Sequence, residues 1–325
     1  MRAHLLTSLT GPDGVRWAQV PEPADGDGGV IIDVAAAGVS FADLLQTRGA
    51  YQMQVGLPYT PGMDAAGVVR SAAPGLGFTP GQRVAVLLPY GCWQEVISAP
   101  ADRVLPLPEQ MTFEAGAAAP LNDLTALFAL ARRARAQAGE TLLVHGAAGG
   151  VGTASIQLGR ALGLRTVAVV SDEARREFAL RCGAHHAVLS DGWLGAVREL
   201  LGERPADIVL DPVGGDRMTD SLRSLGPEGR LLVVGFAEGE IPVVKVNRLL
   251  LGNTGVLGSA CREFFDQHPE AVAELWGQAT ELRRGADLMD LPVRTYPFRD
   301  AGAALRAIAD RRPMGKVVLS RQLLS

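Results

Sequence analysis

The chain has 325 residues, of which 47% are hydrophobic and 20% charged, so it can bury a large core spread over about two domains. Its formal net charge is −4 with both signs spread along the chain, which argues against a nucleic-acid-binding surface or a polybasic membrane patch. No apolar run is long enough to be a spanning helix or a signal peptide, so we expect a soluble, cytoplasmic protein.

The first part of the chain has the pattern of short strands separated by turns. Residues 64–72 and 81–89 are apolar runs, and the Gly- and Pro-rich segment 73–81 lies between them. Such runs are typical of an irregular β-rich domain, which we assign to residues 1–118.

After residue 118, apolar strands alternate with amphipathic helices. The sequence predicts strands at 141–146, 166–171, 187–190, 206–211 and 230–236, and helices at 152–162, 173–182, 192–201 and 215–225. Continuous apolar strands between such helices indicate a parallel sheet covered on both faces. The predicted fold class is therefore α/β, with a Rossmann-type doubly wound parallel sheet over residues 119–287.

From residue 288 the pattern is mixed again, with a strand predicted at 291–298, a helix at 300–312 and a strand at 315–320. We expect residues 288–325 to rejoin the first domain. The α/β domain would then be an insertion in the β-rich one.

Residues 145–152 read HGAAGGVG and connect a predicted strand to a predicted helix. The loop can be a tight turn, but it also fits the dinucleotide fingerprint with alanine at the first position, as Ala147-x-Gly149-x-x-Gly152. Gly149 would let the backbone approach a pyrophosphate, and the N-terminus of the following helix would face that anion. The strand–turn–helix context favours the cofactor interpretation.

The next strand ends at Ser171, where a dinucleotide domain that binds the non-phosphorylated cofactor usually has an acidic residue. A small hydroxyl followed by Arg175 suits the 2′-phosphate of NADPH. Asp172 is the contrary signal, because it can bind ribose hydroxyls or act as the N-cap of the next helix. Both roles of Asp172 remain open from the sequence.

Seven stretches of the chain together resemble the zinc-free NADPH:quinone oxidoreductase branch of the medium-chain dehydrogenase/reductase superfamily. They are residues 35–51, 58–69, 80–86, 122–130, 145–163, 211–215 and 315–319. The resemblance implies a GroES-like β-rich domain, an inserted nucleotide domain with the active site in the cleft between them, and a homodimer formed by edge strands of the nucleotide domains.

The resemblance also indicates that the protein uses no metal. Zinc-using relatives carry a cysteine where this chain has Ser40, and a histidine where it has Met63. Ser and Met cannot form the N/S ligand set that catalytic zinc requires. We therefore expect no metal ligands and no Lewis acid that polarises the oxygen of an alcohol or aldehyde.

Carried over by position, the resemblance assigns cofactor contacts along the whole chain. Ser40 would lie near the nicotinamide, Thr125 and the backbone of Gly149, Gly150 and Val151 near the pyrophosphate, and Ser171 and Arg175 at the 2′-phosphate. Ser190 would face the adenine, Gly235, Phe236 and Leu257 would flank the nicotinamide, and Lys316 would reach the phosphates or be a solvated lysine at a strand start.

The same resemblance matches Tyr51 to a tyrosine that lines the substrate site in relatives. Its phenol can donate a hydrogen bond to an acceptor oxygen that gains charge, or it can simply form part of the wall.

The expected activity is hydride transfer from NADPH to a small-molecule acceptor, either a quinone or an activated C=C bond. The alternative enzyme is an enoyl-thioester or alkenal reductase of the same superfamily. The alternative outside the enzymes is a non-catalytic NADPH-binding protein.

Overall fold

A computed structural model describes residues 1–23 and 29–321, so the last four residues of the predicted segment 288–325 lie outside it. The strands, in chain order, are β1 Arg2–Leu6, β2 Val15–Gln19, β3 Val30–Val39, β4 Asp64–Ala72, β5 Arg83–Leu87, β6 Val96–Ala99, β7 Val104–Pro106, β8 Thr141–His145, β9 Arg165–Val170, β10 His186–Leu189, β11 Ala206–Asp211, β12 Leu225–Val233, β13 Gly255–Gly258, β14 Val293–Pro297 and β15 Lys316–Ser320. The α-helices are α1 Phe41–Thr47, α2 Phe113–Leu127, α3 Gly150–Ala161, α4 Glu173–Arg181, α5 Trp193–Leu201, α6 Met218–Ser224, α7 Asn247–Gly252, α8 Cys261–Gln267, α9 Glu270–Gly285 and α10 Ala301–Ala309.

The chain divides into two compact units. The β-rich unit comprises Met1–Leu121, His268–Gly277 and Met289–Ser325, and the α/β unit comprises Asn122–Gln267 and Gln278–Leu288. This partition differs from the division drawn from the sequence chiefly at residues 268–277, which group with the β-rich unit. One contact of this segment with the β-rich unit is the hydrogen bond that the Trp276 indole Nε1 donates to the Pro106 carbonyl at 2.9 Å.

The β-rich unit is organised around a seven-stranded sheet in the order β14-β15-β3-β4-β5-β7, with β6 paired to β3. Its pairs are antiparallel except for β14 and β15, and β1 and β2 form a separate antiparallel pair. Trp93 is fully buried in the core, and its Nε1 donates to the Gly38 carbonyl at 2.8 Å. The predicted return of the C-terminal segment is seen in β15, which pairs with β3.

The α/β unit contains a six-stranded sheet in the order β10-β9-β8-β11-β12-β13, and every neighbouring pair is parallel. The central strand β8 is buried along its whole length, as expected for a sheet covered by helices on both faces. The predicted fold class is confirmed.

The largest boundary differences from the sequence prediction in this unit are at α6 and β12. The helix expected over 215–225 is a 3₁₀ turn, Gly215–Arg217, followed by α6, and β12 begins at Leu225. The early part of β12 pairs with β11 through an irregularity, at which Ala206 pairs with Leu225 and Ile208 with Arg230. Among the described residues, no helix is long and apolar enough to cross a membrane.

Candidate active site

The predicted cofactor residues of the α/β unit lie at one edge of its sheet. Because all six strands run in the same direction, their carboxyl ends share that edge. Gly149 follows β8, Ser171 follows β9, Ser190 follows β10, and Gly235 and Phe236 follow β12, while Leu257 is in the last half of β13. The strand order changes direction between β8 and β11, and ligands of doubly wound sheets bind outside such a switch point.

The glycine loop is shaped by close backbone packing. A Cβ on Gly152 would lie 2.3 Å from the Gly146 carbonyl oxygen, so only glycine fits there. A Cβ on Gly150 would lie 2.7 Å from Nδ2 of Asn122. Gly149 is the N-cap of α3 and no side chain caps this helix, so its first N–H groups are available to an anion. These residues fit the pyrophosphate of a dinucleotide.

At the end of β9, Asp172 is the N-cap of α4. Its Oδ1 accepts a hydrogen bond from the Arg175 backbone N–H at 2.9 Å, and its Oδ2 accepts from the Ser171 hydroxyl at 2.9 Å and from the Arg175 guanidinium. The backbone hydrogen bond from Arg175 contributes most to lowering the pKa of Asp172. The structure therefore shows the capping role, and this carboxylate connects the two residues predicted to meet the 2′-phosphate.

The remaining cofactor candidates of this unit have local partners. Thr125 is buried in α2, with its hydroxyl oxygen 3.3 Å from the Cys261 sulfur. Phe236 packs over the turn that follows β11, since its Cδ1 lies 3.1 Å from where a Cβ of Gly214 would be. Leu257 lies in β13, at the edge of the sheet, and pairs with Leu232 of β12. The Ser190 backbone N–H donates to the Val170 carbonyl at 2.7 Å.

One buried ion-pair network in this unit was not predicted from the sequence. Arg283 is fully buried and donates to both Asp123 carboxylate oxygens at 2.6 Å, and also to Gln157 Oε1 at 3.1 Å. The network joins α9 to α2 and to α3, the helix that follows the glycine loop. An Asp inside the apolar stretch NDLTALFAL was the signal available, but its partner is 160 positions away.

In the β-rich unit, Ser40 is the N-cap of α1. Asp43 Oδ2 accepts from the Ser40 backbone N–H at 2.7 Å and from the Ser40 hydroxyl at 2.6 Å, and the Ser40 oxygen accepts from the Asp43 N–H at 3.2 Å. The Asp43 side chain is fully buried. Burial raises the pKa of Asp43 to about 6, although its hydrogen bond to Ser40 and the charge of Lys316 oppose the shift.

Lys316 is not a solvated lysine, so that alternative from the sequence is wrong. Its side chain is 5% exposed, and its Nζ donates to Asp64 Oδ2 at 2.8 Å. Burial raises the pKa of Asp64, and the charge of Lys316 opposes that shift. Gly38 makes room for this carboxylate, because a Cβ there would lie 1.9 Å from Asp64 Oδ1. A contact of Lys316 with cofactor phosphates stays a prediction.

The residues at the zinc positions do not fit a zinc site. The Ser40 hydroxyl is engaged with Asp43, and the buried Met63 offers only a thioether. Within residues 1–23 and 29–321, no group of three or more His, Cys, Asp or Glu side chains is placed to hold a metal ion.

The β-rich unit contains Tyr51 and a contacting pair of tyrosines, Tyr59 and Tyr90. Tyr51 is partly buried, and its carbonyl accepts from Gln54 Nε2 at 2.8 Å. The rings of Tyr59 and Tyr90 meet edge to face with centroids 5.7 Å apart. Burial, with the nearby charge of Asp43, raises the pKa of Tyr59 to about 12, so this phenol keeps its proton. Sequence reasoning singled out Tyr51 and missed Tyr59.

Two family models match the chain in the two predicted regions. The model described as the alcohol dehydrogenase GroES-like domain matches residues 26–109, and the one described as zinc-binding dehydrogenase matches residues 150–277. These matches confirm the GroES-like assignment of the first part.

Individual proteins match over nearly the whole chain. The quinone oxidoreductase-like protein 2 of Bos taurus is 32% identical, with 90% of this chain and 84% of that protein covered. A 2-haloacrylate reductase of Burkholderia sp is 30% identical over 98% of this chain and 99% of its own length. The crystal structure of the quinone oxidoreductase from Thermus thermophilus, also solved in complex with NADPH, superposes with a TM-score of 0.81 at 35% identity, covering 99% of this chain and 100% of that one.

The agreement of fold, motifs and relatives confirms the family resemblance. The chain is an oxidoreductase that belongs to the zinc-free quinone oxidoreductase branch of the medium-chain dehydrogenase/reductase superfamily.

Proposed function

We propose that the protein reduces a quinone or an α,β-unsaturated carbonyl compound with hydride from NADPH. The observation that carries the proposal is the glycine loop between β8 and α3, which leaves an uncapped helix N-terminus at the switch point of the parallel sheet. When bound, NADPH supplies the hydride, and the protein positions and shields the acceptor.

The choice of NADPH over NADH follows from the end of β9. Ser171 and Arg175 are the two donors there, and Asp172 is occupied by hydrogen bonds from both of them. A carboxylate engaged in this way is less available for ribose hydroxyls, while the arginine suits a 2′-phosphate. The relative from Thermus thermophilus was also solved with NADPH, which supports the same cofactor for this chain.

The acceptor class follows from the residues at the zinc positions. Ser40 and Met63 provide no catalytic zinc, so stabilisation of a developing oxyanion falls to hydrogen-bond donors such as the phenol of Tyr51. Hydrogen bonds stabilise less charge than a dication does, which favours acceptors that spread the charge themselves. A quinone gains aromaticity as a hydroquinone, and an enone delocalises its charge into an enolate.

Reduction of a C=C bond conjugated to a carbonyl, as in an alkenal or an enoyl thioester, is the second candidate acceptor chemistry. The similarity to a 2-haloacrylate reductase favours it. In that reaction the β-carbon gains the hydride and the α-carbon gains a proton from solvent.

A panel of acceptors tests the proposal. Purified protein is mixed with NADPH carrying deuterium at the transferable position and with a quinone, an enone, an alkenal, an enoyl thioester or a simple aldehyde. We expect NADPH oxidation with the quinone or the conjugated acceptors, and deuterium at the β-carbon of a reduced enone. NADPH binding without turnover of any acceptor would instead identify a non-catalytic NADPH-binding protein.

The expected homodimer is supported by an exposed apolar segment of the α/β unit. Five large apolar side chains between residues 241 and 251 are mostly exposed, namely Ile241, Val243, Val246, Leu250 and Leu251. They precede β13, the edge strand of the sheet in the described chain, and a second copy can cover both the apolar segment and the unpaired strand edge. Leu251→Glu should yield monomers in size-exclusion chromatography with light scattering, whereas Leu180→Glu, on the exposed face of α4, should not.

A cytoplasmic location stays a prediction, which cell fractionation can test.

A further inference from the structure

The Ser40 hydroxyl has a defined hydrogen-bond direction. Asp43 Oδ2 accepts the Ser40 backbone N–H at 2.7 Å, so this oxygen acts as an acceptor. The Ser40 hydroxyl lies 2.6 Å from the same oxygen and therefore gives it its proton. A serine hydroxyl has a single proton to donate. That proton is committed to Asp43.

The acceptor capacity of the same hydroxyl is only partly used. A hydroxyl oxygen has two lone pairs, and one of them accepts the Asp43 backbone N–H at 3.2 Å. Ser40 is partly exposed, so the second lone pair can meet a ligand. A ligand group bound by this oxygen must therefore be an N–H or O–H donor.

The surroundings of Asp43 hold this arrangement in place. Asp43 is fully buried, and its hydrogen bonds run through Oδ2 to Ser40, while Oδ1 has no hydrogen-bond partner among the residues that the structure describes. The nearby Lys316 is held by Asp64 at 2.8 Å. Through these hydrogen bonds the buried carboxylate sets the orientation of the Ser40 hydroxyl.

We propose that Asp43 is a positioning residue, which fixes the Ser40 hydroxyl as a hydrogen-bond acceptor for the carboxamide N–H of the nicotinamide and keeps it from donating to the oxygen of the substrate. The inference rests on the proposed function, and it takes the position of the nicotinamide at Ser40 from the family resemblance. If Asp43 affects the cofactor by orienting Ser40, that effect requires the serine hydroxyl. The donor to the substrate oxygen must then be another group.

A double-mutant cycle tests this inference, with NADPH affinity measured by fluorescence titration and kcat and KM measured with a quinone. Ser40→Ala should weaken NADPH binding about three- to tenfold, as expected for one hydrogen bond. Asp43→Ala should weaken binding to a similar extent. In the Ser40→Ala background, Asp43→Ala should add no further loss. Asp43→Asn keeps an oxygen that can accept from Ser40 and should restore near-wild-type affinity.

A cap elsewhere in the β-rich unit serves as the control for lost stability. The Thr112 hydroxyl oxygen accepts from the Ala115 N–H at 3.1 Å at the start of α2. Thr112→Ala should lower the melting temperature as a cap loss does and leave NADPH affinity unchanged.

Three results would overturn the inference while the proposed function stands. The first is an Asp43→Ala effect on NADPH binding that is equally large without the Ser40 hydroxyl, and the second is an Asp43→Asn variant that binds as weakly as Asp43→Ala. The third is a fall in kcat with unchanged NADPH affinity in Ser40→Ala. This third result can be obtained even if Asp43→Ala does not fold. Wild-type protein that binds no NADPH would overturn the proposed function together with the inference.

Discussion

Lys316 and Asp64 form a buried ion pair that joins the first residue of β15 to the first residue of β4. The ammonium and carboxylate are 2.8 Å apart, and the side chains are only 5% and 0% exposed. Because both strands belong to the seven-stranded sheet, this pair ties the returning C-terminal segment to the N-terminal part of the same unit.

Removal of the lysine should destabilise the protein strongly. Lys316→Met leaves Asp64 as a buried, unpaired charge, which typically costs about 3–5 kcal/mol of unfolding free energy. Urea unfolding followed by tryptophan fluorescence measures the loss. Arg306→Met is the control, since the pair of Arg306 with Asp13 is exposed and should contribute less than about 1 kcal/mol. A loss in Lys316→Met as small as in the control would contradict the buried-pair account.

The contribution of Asp43 to stability should fall as the pH rises from acid to neutral. Its pKa is about 6 in the folded chain against an ordinary 3.8, so between these values the folded state binds more protons than the unfolded one. The wild-type protein should therefore lose about 3 kcal/mol relative to Asp43→Asn as the pH rises from about 4 to 8. Asp64, Lys316, Tyr59 and Cys92 act electrostatically with Asp43, and none of them is changed in this comparison.

The measurement is the difference in unfolding free energy between wild type and Asp43→Asn across that pH range. A difference that does not change with pH would show that Asp43 is ionised normally in the folded protein. Taking the difference cancels the groups that both proteins share, such as the buried His145, whose pKa burial lowers to about 3.

Arg175 should decide the preference between the two cofactors. A charge-assisted hydrogen bond to the 2′-phosphate is worth roughly 1.5–3 kcal/mol, so Arg175→Ala should raise the KM for NADPH on the order of ten- to hundredfold. The KM for NADH should change little. Arg176→Ala is the matched control, because Arg176 pairs with Glu173 on the same helix and should leave both constants unchanged. Equal losses for both cofactors in Arg175→Ala would refute the assignment.

Tyr51 should contribute to the chemical step. If its phenol donates to the acceptor oxygen, Tyr51→Phe should lower kcat about three- to tenfold and leave NADPH affinity unchanged. Stopped-flow single turnovers with a quinone measure that step directly. An unchanged rate would assign Tyr51 to the wall of the site. The same measurement on Tyr59→Phe would then test the second phenol, which keeps its proton at neutral pH.

Sequence reasoning was strongest where the physical signal is local. Continuous apolar runs such as 206–211 predicted the strands of the parallel sheet, and the loop at 145–152 predicted the turn between β8 and α3. The capping role of Asp172 was one of two alternatives that its position before a helix suggested. In each case a few consecutive residues carry the information.

The features that escaped prediction depend on contacts between distant residues or on short segments. β13 has four residues with glycine at both ends, and it is a strand because β12 lies beside it. Lys316 and Asp64 are separated by 252 positions, so no local sequence pattern predicts that they form a buried pair. The Ser40-x-x-Asp43 spacing of the capping box was visible, yet the short helix α1 lies in a region where we expected only strands and turns.

In the proposed function, this chain reduces its acceptor with NADPH and without zinc. The most direct measurement is NADPH oxidation with 1,4-benzoquinone before and after treatment with a strong chelator, combined with elemental analysis of the same protein. We predict that the rate survives the treatment, that NADH is the poorer donor and that stoichiometric zinc is missing. Active protein carrying about one zinc per chain, with activity lost on chelation and restored by zinc, would contradict the claim.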